Sequence, residues 1–111
     1  MILAYFRAVD ERDFSKFEDI FHQEVVYERP GYDTLAGIND LIAFYRHRRI
    51  LSSGCHTIEG VIVEGERGVC WGRFIGMTKA GESVDERFAD VFTFQDGQIK
   101  TRITFFYKPA V

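Results

Sequence analysis

The 111-residue chain is expected to fold as an α+β domain, a cone-shaped curved antiparallel sheet packed on three helices. Three observations predict this. Apolar residues in the first half recur at helical spacing, whereas from His56 onward they alternate in period two. Turn-forming residues then cut the second half at Gly65 to Gly68, Ala80-Gly81 and Asp96-Gly97, which gives four strands in a meander.

Each element has a local reason. From Ile2 to about Glu11, Tyr5, Phe6 and Val9 share one helical face. Asp13 is placed to cap a second helix carrying Phe14, Phe17, Ile20 and Phe21. Val25 to Arg29 reads as a short strand stopped by Pro30-Gly31, and Leu35 to Arg49 resumes the helical pattern through Ile38, Leu41, Ile42 and Tyr45. Ser52-Ser53-Gly54 ends that third helix. Between Phe94 and Ile99, Asp96-Gly97 is a strong hairpin signal, because a tight turn with positive φ favours this pair. No repeat, low-complexity tract or linker interrupts the chain, so residues 1–111 read as one domain.

Composition narrows the function classes. The chain carries 14 basic and 17 acidic side chains, a formal charge of −3, which removes the bulk electrostatic case for nucleic acid or an anionic membrane. Its one basic cluster, Tyr45-Arg46-His47-Arg48-Arg49, is accounted for by cations complementing a helix C-terminus. No apolar run is long enough to span a bilayer. Two cysteines, Cys55 and Cys70, form no ligand cluster, and a reduced cytoplasmic protein is the simplest expectation, with a disulfide between them left open. His22, His47 and His56 lack ligand spacing, and no Gly-rich phosphate loop, G-x-S-x-G or H-E-x-x-H occurs. Neither a metal nor another cofactor is expected.

Chemistry concentrates on a few polar residues at apolar positions. Phe88, Asp90, Phe92 and Phe94 share one strand face, and a carboxylate in that row is costly unless paired or functional. Strand parity can bring Arg73 or Arg102 to Asp90, either as a structural ion pair or to keep a base or orienting group ionised. Tyr5 on the helix stripe needs a partner for its hydroxyl, as a core tyrosine or as a catalytic donor. His56 is either a hydrogen-bonded structural histidine or a base near neutral pH. The other face of the last strands, with Val91, Ile103, Phe105 and Tyr107, is left for a second subunit, so a homodimer is expected.

Two stretches, Ala4-Tyr5-Phe6-Arg7-Ala8-Val9-Asp10 through Tyr27-Glu28-Arg29-Pro30 and Phe88 to Phe94 followed by Asp96-Gly97-Gln98-Ile99, carry a family likeness. Over nearly its whole length the chain resembles the ketosteroid isomerase-like, small polyketide cyclase-like branch of the nuclear transport factor 2-like superfamily. The resemblance implies that Tyr5 donates to a developing oxyanion, that Tyr45 supports it, and that Asp90 shares the oxyanion site, where the isomerases keep an aspartic acid neutral. One departure matters: where those isomerases carry the proton-abstracting aspartate, this sequence has Arg29, so proton abstraction falls to Asp90 or His56. Arg29, Arg73, Arg102 and Arg49 are expected to favour an oxygen-rich or anionic ligand, and Trp71, Ile75, Met77 and Phe106 to line its apolar wall.

The expected function is therefore cofactor-independent acid/base chemistry of the isomerase, cyclase or hydrolase type on a carbonyl-bearing, polyketide-like metabolite. Two alternatives share the fold: a small-ligand binding module without turnover, and a dimeric interaction domain using the exposed sheet face.

Overall fold

Tyr5, Phe6 and Val9 share the buried face of helix α1, Ile2–Asp10, as their spacing requires. The computed structural model in which this is seen describes residues 2–48 and 51–108. The second helix is shorter than its apolar pattern suggests. A 3-10 turn over Phe14–Lys16 leads into α2, Phe17–Ile20, and Phe21 already opens strand β1, Phe21–Glu28. Asp13 makes no side-chain cap; its carboxylate accepts the Ser15 hydroxyl at 2.5 Å instead.

The third helix also begins late. Leu35–Ala36 forms strand β2, antiparallel to β1, and Gly37 at φ +88° turns the chain into α3, Ile38–Ala43, which continues as a π-helical turn over Phe44–Arg48. Only glycine adopts that φ readily, so the helix cannot extend back to Leu35. Ser52, Ser53 and Gly54 do not form a helix end: they belong to β3, Leu51–Glu64.

Strands β3, β4 (Arg67–Thr78), β5 (Ser83–Gln95) and β6 (Gln98–Phe106) form the expected meander. Asp96 (φ +54°) and Gly97 (φ +75°) make the last hairpin with both central residues at positive φ. The full order is β2-β1-β6-β5-β4-β3, and β1 runs parallel to β6, so the sheet is mostly rather than wholly antiparallel. Register shifts between Ile58 and Gly60 and between Thr93 and Phe94 bend the long strands, and the sheet curls around the helices.

Parity then separates two faces. Phe88, Asp90 and Phe92 of β5 and Arg102 and Thr104 of β6 point inward and are buried. On β4 the inward row is Gly68, Cys70, Gly72 and Phe74, and the large residues Trp71, Arg73, Ile75 and Met77 point outward. Buried aromatics, Phe17, Phe44 and Phe92 among them, fill the space between sheet and helices. Each contributes about 1.5–3 kcal/mol by removal from water. Cys55 and Cys70 are unlinked, the first exposed and the second buried. No helix among the described residues is long and apolar enough to cross a membrane.

Candidate active site

The concave face encloses a cavity of about 30 Å³, room for about two water molecules, bordered by residues of α1, the π-helical turn and five strands. Its inner end is organised by Arg102. Asp90 faces Thr104 across the β5–β6 ladder, and Arg102 is the diagonal neighbour two residues away. One Arg102 terminal nitrogen, Nη2, donates to Asp90 Oδ2 at 3.0 Å. The other, Nη1, donates to the Tyr45 hydroxyl at 3.0 Å and to the Tyr5 hydroxyl, and these two phenols are hydrogen-bonded to each other. The Thr104 hydroxyl donates to Asp90 Oδ1 at 2.5 Å and sits 2.8 Å from the Tyr27 hydroxyl. The guanidinium lies between two rings, 4.5 Å from the centre of Tyr5 and 4.4 Å from that of Tyr27.

Electrostatics follow from this packing. Burial pushes the Tyr5 phenol well above its ordinary value, against the pull of Arg102, and burial raises Tyr27 likewise. Both are therefore neutral donors. Burial opposes the charge of Arg102, but the Asp90 carboxylate, aided by the phenol oxygens of Tyr27, Tyr5 and Tyr45, outweighs it and raises its pKa. Burial and the Asp90 charge push the Cys70 thiol up to about 12, which makes it a poor nucleophile.

The outer part of the cavity holds a second group of polar side chains. His56 Nδ1 lies 2.5 Å from Asp10 Oδ1, and Asp10 Oδ2 accepts the His56 backbone N–H at 2.9 Å. Because a carboxylate can only accept, Nδ1 carries the proton and Nε2 is the basic nitrogen of the neutral ring. The imidazole packs between Phe6 and Phe74, 4.7 Å from each ring centre. Arg29, only 9% exposed, lies over the rings of Tyr32, Phe44 and Phe106 at 5.2–5.6 Å. Glu86, 5% exposed, borders the same space, and one of its oxygens accepts the Lys108 backbone N–H at 3.0 Å.

The sequence expectations divide accordingly. Tyr5, Tyr45, His56, Arg29, Arg102 and Phe106 all border the cavity. Asp90 does not: it is fully buried behind Arg102, and all its contacts are donors, so it orients the arginine and has no route to a substrate proton. Trp71 and Arg73 are corrections, because the β4 parity turns both outward; Trp71 is 42% exposed and Arg73 pairs with Asp85 at 2.7 Å. Ile75 and Met77 follow them onto the outer face. Arg49 lies outside the described residues. Sequence reasoning missed Asp10, Tyr27, Glu86 and Thr104. Glu86 and Thr104 carried a signal, since they share parity with Asp90 and Arg102; Asp10 carried none, because its partner is 46 residues away. Among the described residues no group of three His, Cys, Asp or Glu side chains is arranged to hold a metal ion.

A larger and more open hollow of about 520 Å³ lies between Ile2, Val61, Val63 and Phe94, with Glu66 and Asp96 also on its walls. Its walls are mainly apolar and it gathers no comparable set of donors, so the chemistry is assigned to the smaller interior cavity.

A curved sheet closing over a tyrosine pair backed by arginine, with a histidine–aspartate pair alongside, is the cone of the ketosteroid isomerase-like, nuclear transport factor 2-like fold. The chain belongs to the SnoaL-like domain family, whose sequence profile matches residues 2–102. No curated protein sequence matches it. Among solved structures it is similar to a candidate SnoaL-like polyketide cyclase from Jannaschia sp. CCS1, with 20% identity, 96% of this chain and 82% of that chain covered, and a TM-score of 0.83. An epoxide hydrolase of the LEH-like type from M. tuberculosis aligns at 18% identity over 95% and 78% of the two chains, TM-score 0.82. A protein of ketosteroid isomerase-like fold from Catenulispora acidiphila, in complex with trimethylamine, aligns at 13% identity over 94% and 82%, TM-score 0.83. At these identities the shared property is the fold.

Proposed function

We propose that the protein is a cofactor-independent enzyme of the cyclase or isomerase type, acting by acid/base chemistry on an oxygenated, carbonyl-bearing metabolite. The observation that carries this reading is the hydrogen-bond count at Tyr5. Arg102 Nη1 only donates, and it donates to both phenols. When Tyr45 donates to Tyr5, Tyr5 has accepted twice and its own proton is directed to a third acceptor. A substrate carbonyl oxygen fits that place, and the donor strengthens its hold as the oxygen gains charge in the transition state.

His56 supplies the complementary base. Its Nε2 accepts a proton from the carbon next to the carbonyl, and Asp10 holds the ring and stabilises the imidazolium that results. Proton return from Nε2 to a different atom completes an isomerisation; attack of the enolate carbon on a second carbonyl of the same molecule, with the proton on Nε2 passing to the alkoxide so formed, completes a ring closure. Asp90 acts through Arg102, as a positioning residue. Since the cavity holds about two water molecules, entry of a metabolite requires side chains such as Phe74 and Phe106 to move.

The test is turnover of a panel of polyketide-like carbonyl compounds by wild type, Tyr5→Phe and His56→Gln, with folding checked by thermal unfolding. Each substitution is expected to lower kcat/KM by about 10²-fold or more. If both folded variants kept wild-type turnover, the reading would be wrong.

We also infer that a second copy of the chain covers the outer sheet face. Trp71, Ile75, Met77, Val91 and Phe105 are exposed there on three adjacent strands, with Tyr107 exposed just past the end of β6. Arg73 and Asp85, paired at 2.7 Å, put both signs of charge on the same face, which is compatible with a self-complementary two-fold contact.

A further inference from the structure

Glu86 is the one buried carboxylate bordering the cavity that the chemistry above does not use. It stands on the inward row of β5, four residues before Asp90, so its Cα lies about 13 Å from that of Asp90 by the rise of a strand. Burial of a carboxylate is costly unless its oxygens find donors. Oε1 accepts the Lys108 N–H at 3.0 Å, and no other described residue hydrogen-bonds or ion-pairs with the group. The side chain is 95% buried and borders the cavity with Oε2 still able to accept.

We propose that Glu86 is a specificity-determining residue that accepts a hydrogen bond from a hydroxyl of the substrate, so that the substrate class is a neutral hydroxy-carbonyl compound. This rests on the carbonyl reading of Tyr5 and extends it to the other end of the molecule. Charge favours a neutral hydroxyl over the other donors and over an anion. Arg102 is paired with Asp90, Arg73 is outside on Asp85, and the cavity lining that remains carries one cation, Arg29, and one carboxylate, Glu86. No surplus charge of either sign is left to hold a carboxylate or an ammonium group. The arginine-rich interior expected from sequence is thus electrically near balance, and the ligand it favours is polar without being ionic.

Four acetophenones carrying para hydrogen, hydroxyl, carboxylate or aminomethyl groups separate these cases, with affinities read by NMR titration of the wild type, Glu86→Gln, Glu86→Leu and Tyr5→Phe. Thermal unfolding checks that each variant is folded. The hydroxy ketone is expected to bind the wild type about tenfold more tightly than acetophenone, a difference of ~1.4 kcal/mol. Both Glu86 variants should reduce that preference to less than about threefold while leaving acetophenone affinity unchanged. The carboxylate and aminomethyl ketones should bind no better than acetophenone. Equal binding of the hydroxy and unsubstituted ketones, a hydroxyl preference that survives in both Glu86 variants, or tightest binding by either ionic ketone would overturn the proposal. Tyr5→Phe reports separately on the carbonyl reading: it should weaken the hydroxy and unsubstituted ketones alike, and if it weakens neither, that reading fails whatever Glu86 does. A wild type that binds no ketone overturns both.

Discussion

Arg102 holds Asp90 at 3.0 Å through one terminal nitrogen and the Tyr5–Tyr45 pair through the other, so the carboxylate and the phenols never compete for the same donor. Asp90 is thereby kept behind the arginine, out of reach of a ligand. Its removal is expected to act on stability before it acts on chemistry. Asp90→Ala should lower unfolding free energy by about 3–5 kcal/mol in urea titrations, because a buried guanidinium loses its counter-charge. A loss under 1 kcal/mol would mean that the pair is not buried as described.

Alkaline pH should weaken the fold in a defined window. The Cys70 thiol is raised from 9.0 to about 12 by burial, so the unfolded chain releases its proton first. Stability from this group is fully present below pH 9 and falls as pH rises toward 12. The raised Tyr5 and Tyr27 phenols add to the same slope above pH 10. Urea midpoints measured at pH 8, 9.5 and 11 should fall with pH, and fall less steeply in Cys70→Ala. In a phenol absorbance titration of the five tyrosines, Tyr5 and Tyr27 should ionise only as the protein unfolds.

The Asp10–His56 contact sets a tautomer, which nitrogen NMR reads directly. Wild-type His56 should carry its proton on Nδ1. In Asp10→Ala the ring should revert toward the Nε2–H form that unconstrained imidazoles favour, and kcat should drop with little change in KM. A wild-type ring already protonated on Nε2 would contradict the assignment.

Gly54 and Gly76 face each other across β3 and β4, and the Phe74 ring lies against both. A Cβ at Gly54 would overlap only that ring, whereas one at Gly76 would also overlap the Ser53 carbonyl oxygen. Gly54→Ala and Gly76→Ala should each destabilise by about 1–3 kcal/mol. In a Phe74→Ala background the cost at Gly54 should largely vanish and the cost at Gly76 should persist, a contrast that urea unfolding of the double-mutant cycles resolves.

Phe105→Glu and Trp71→Glu place a charge on the outer face. If a second copy docks there, light scattering should show wild-type dimers and monomeric variants of unchanged secondary structure; a monomeric wild type would reject the assembly.

Legibility in the sequence followed the size of the inward side chains. On β5 the inward row is Phe88, Asp90, Phe92, and period two exposes both the face and its odd carboxylate. On β4 the inward positions 68, 72 and 76 are glycine, Gly68 lying against the Phe94 ring and Gly76 against that of Phe74, so the same logic picks Trp71 and Arg73 and chooses the wrong side. Helix α2 shows a different limit, since Phe17, Ile20 and Phe21 fit one helical face although Phe21 is already pairing with Ile99 in the sheet. Tyr5 and Tyr45 were identifiable as apolar-face tyrosines, but their union through Arg102 depends on tertiary closure over 97 and 57 residues.

Arg102 joins α1 through Tyr5, the π-helical turn through Tyr45 and β5 through Asp90, besides its own strand. A pocket fastened this way has no private melting transition. Opening it far enough to separate those groups breaks the same links that hold helix to sheet, so exchange of the β6 amides near Arg102 with solvent deuterium belongs with global unfolding. A ligand held there therefore stabilises the whole domain, and its affinity is readable as a rise in Tm even when no product is formed.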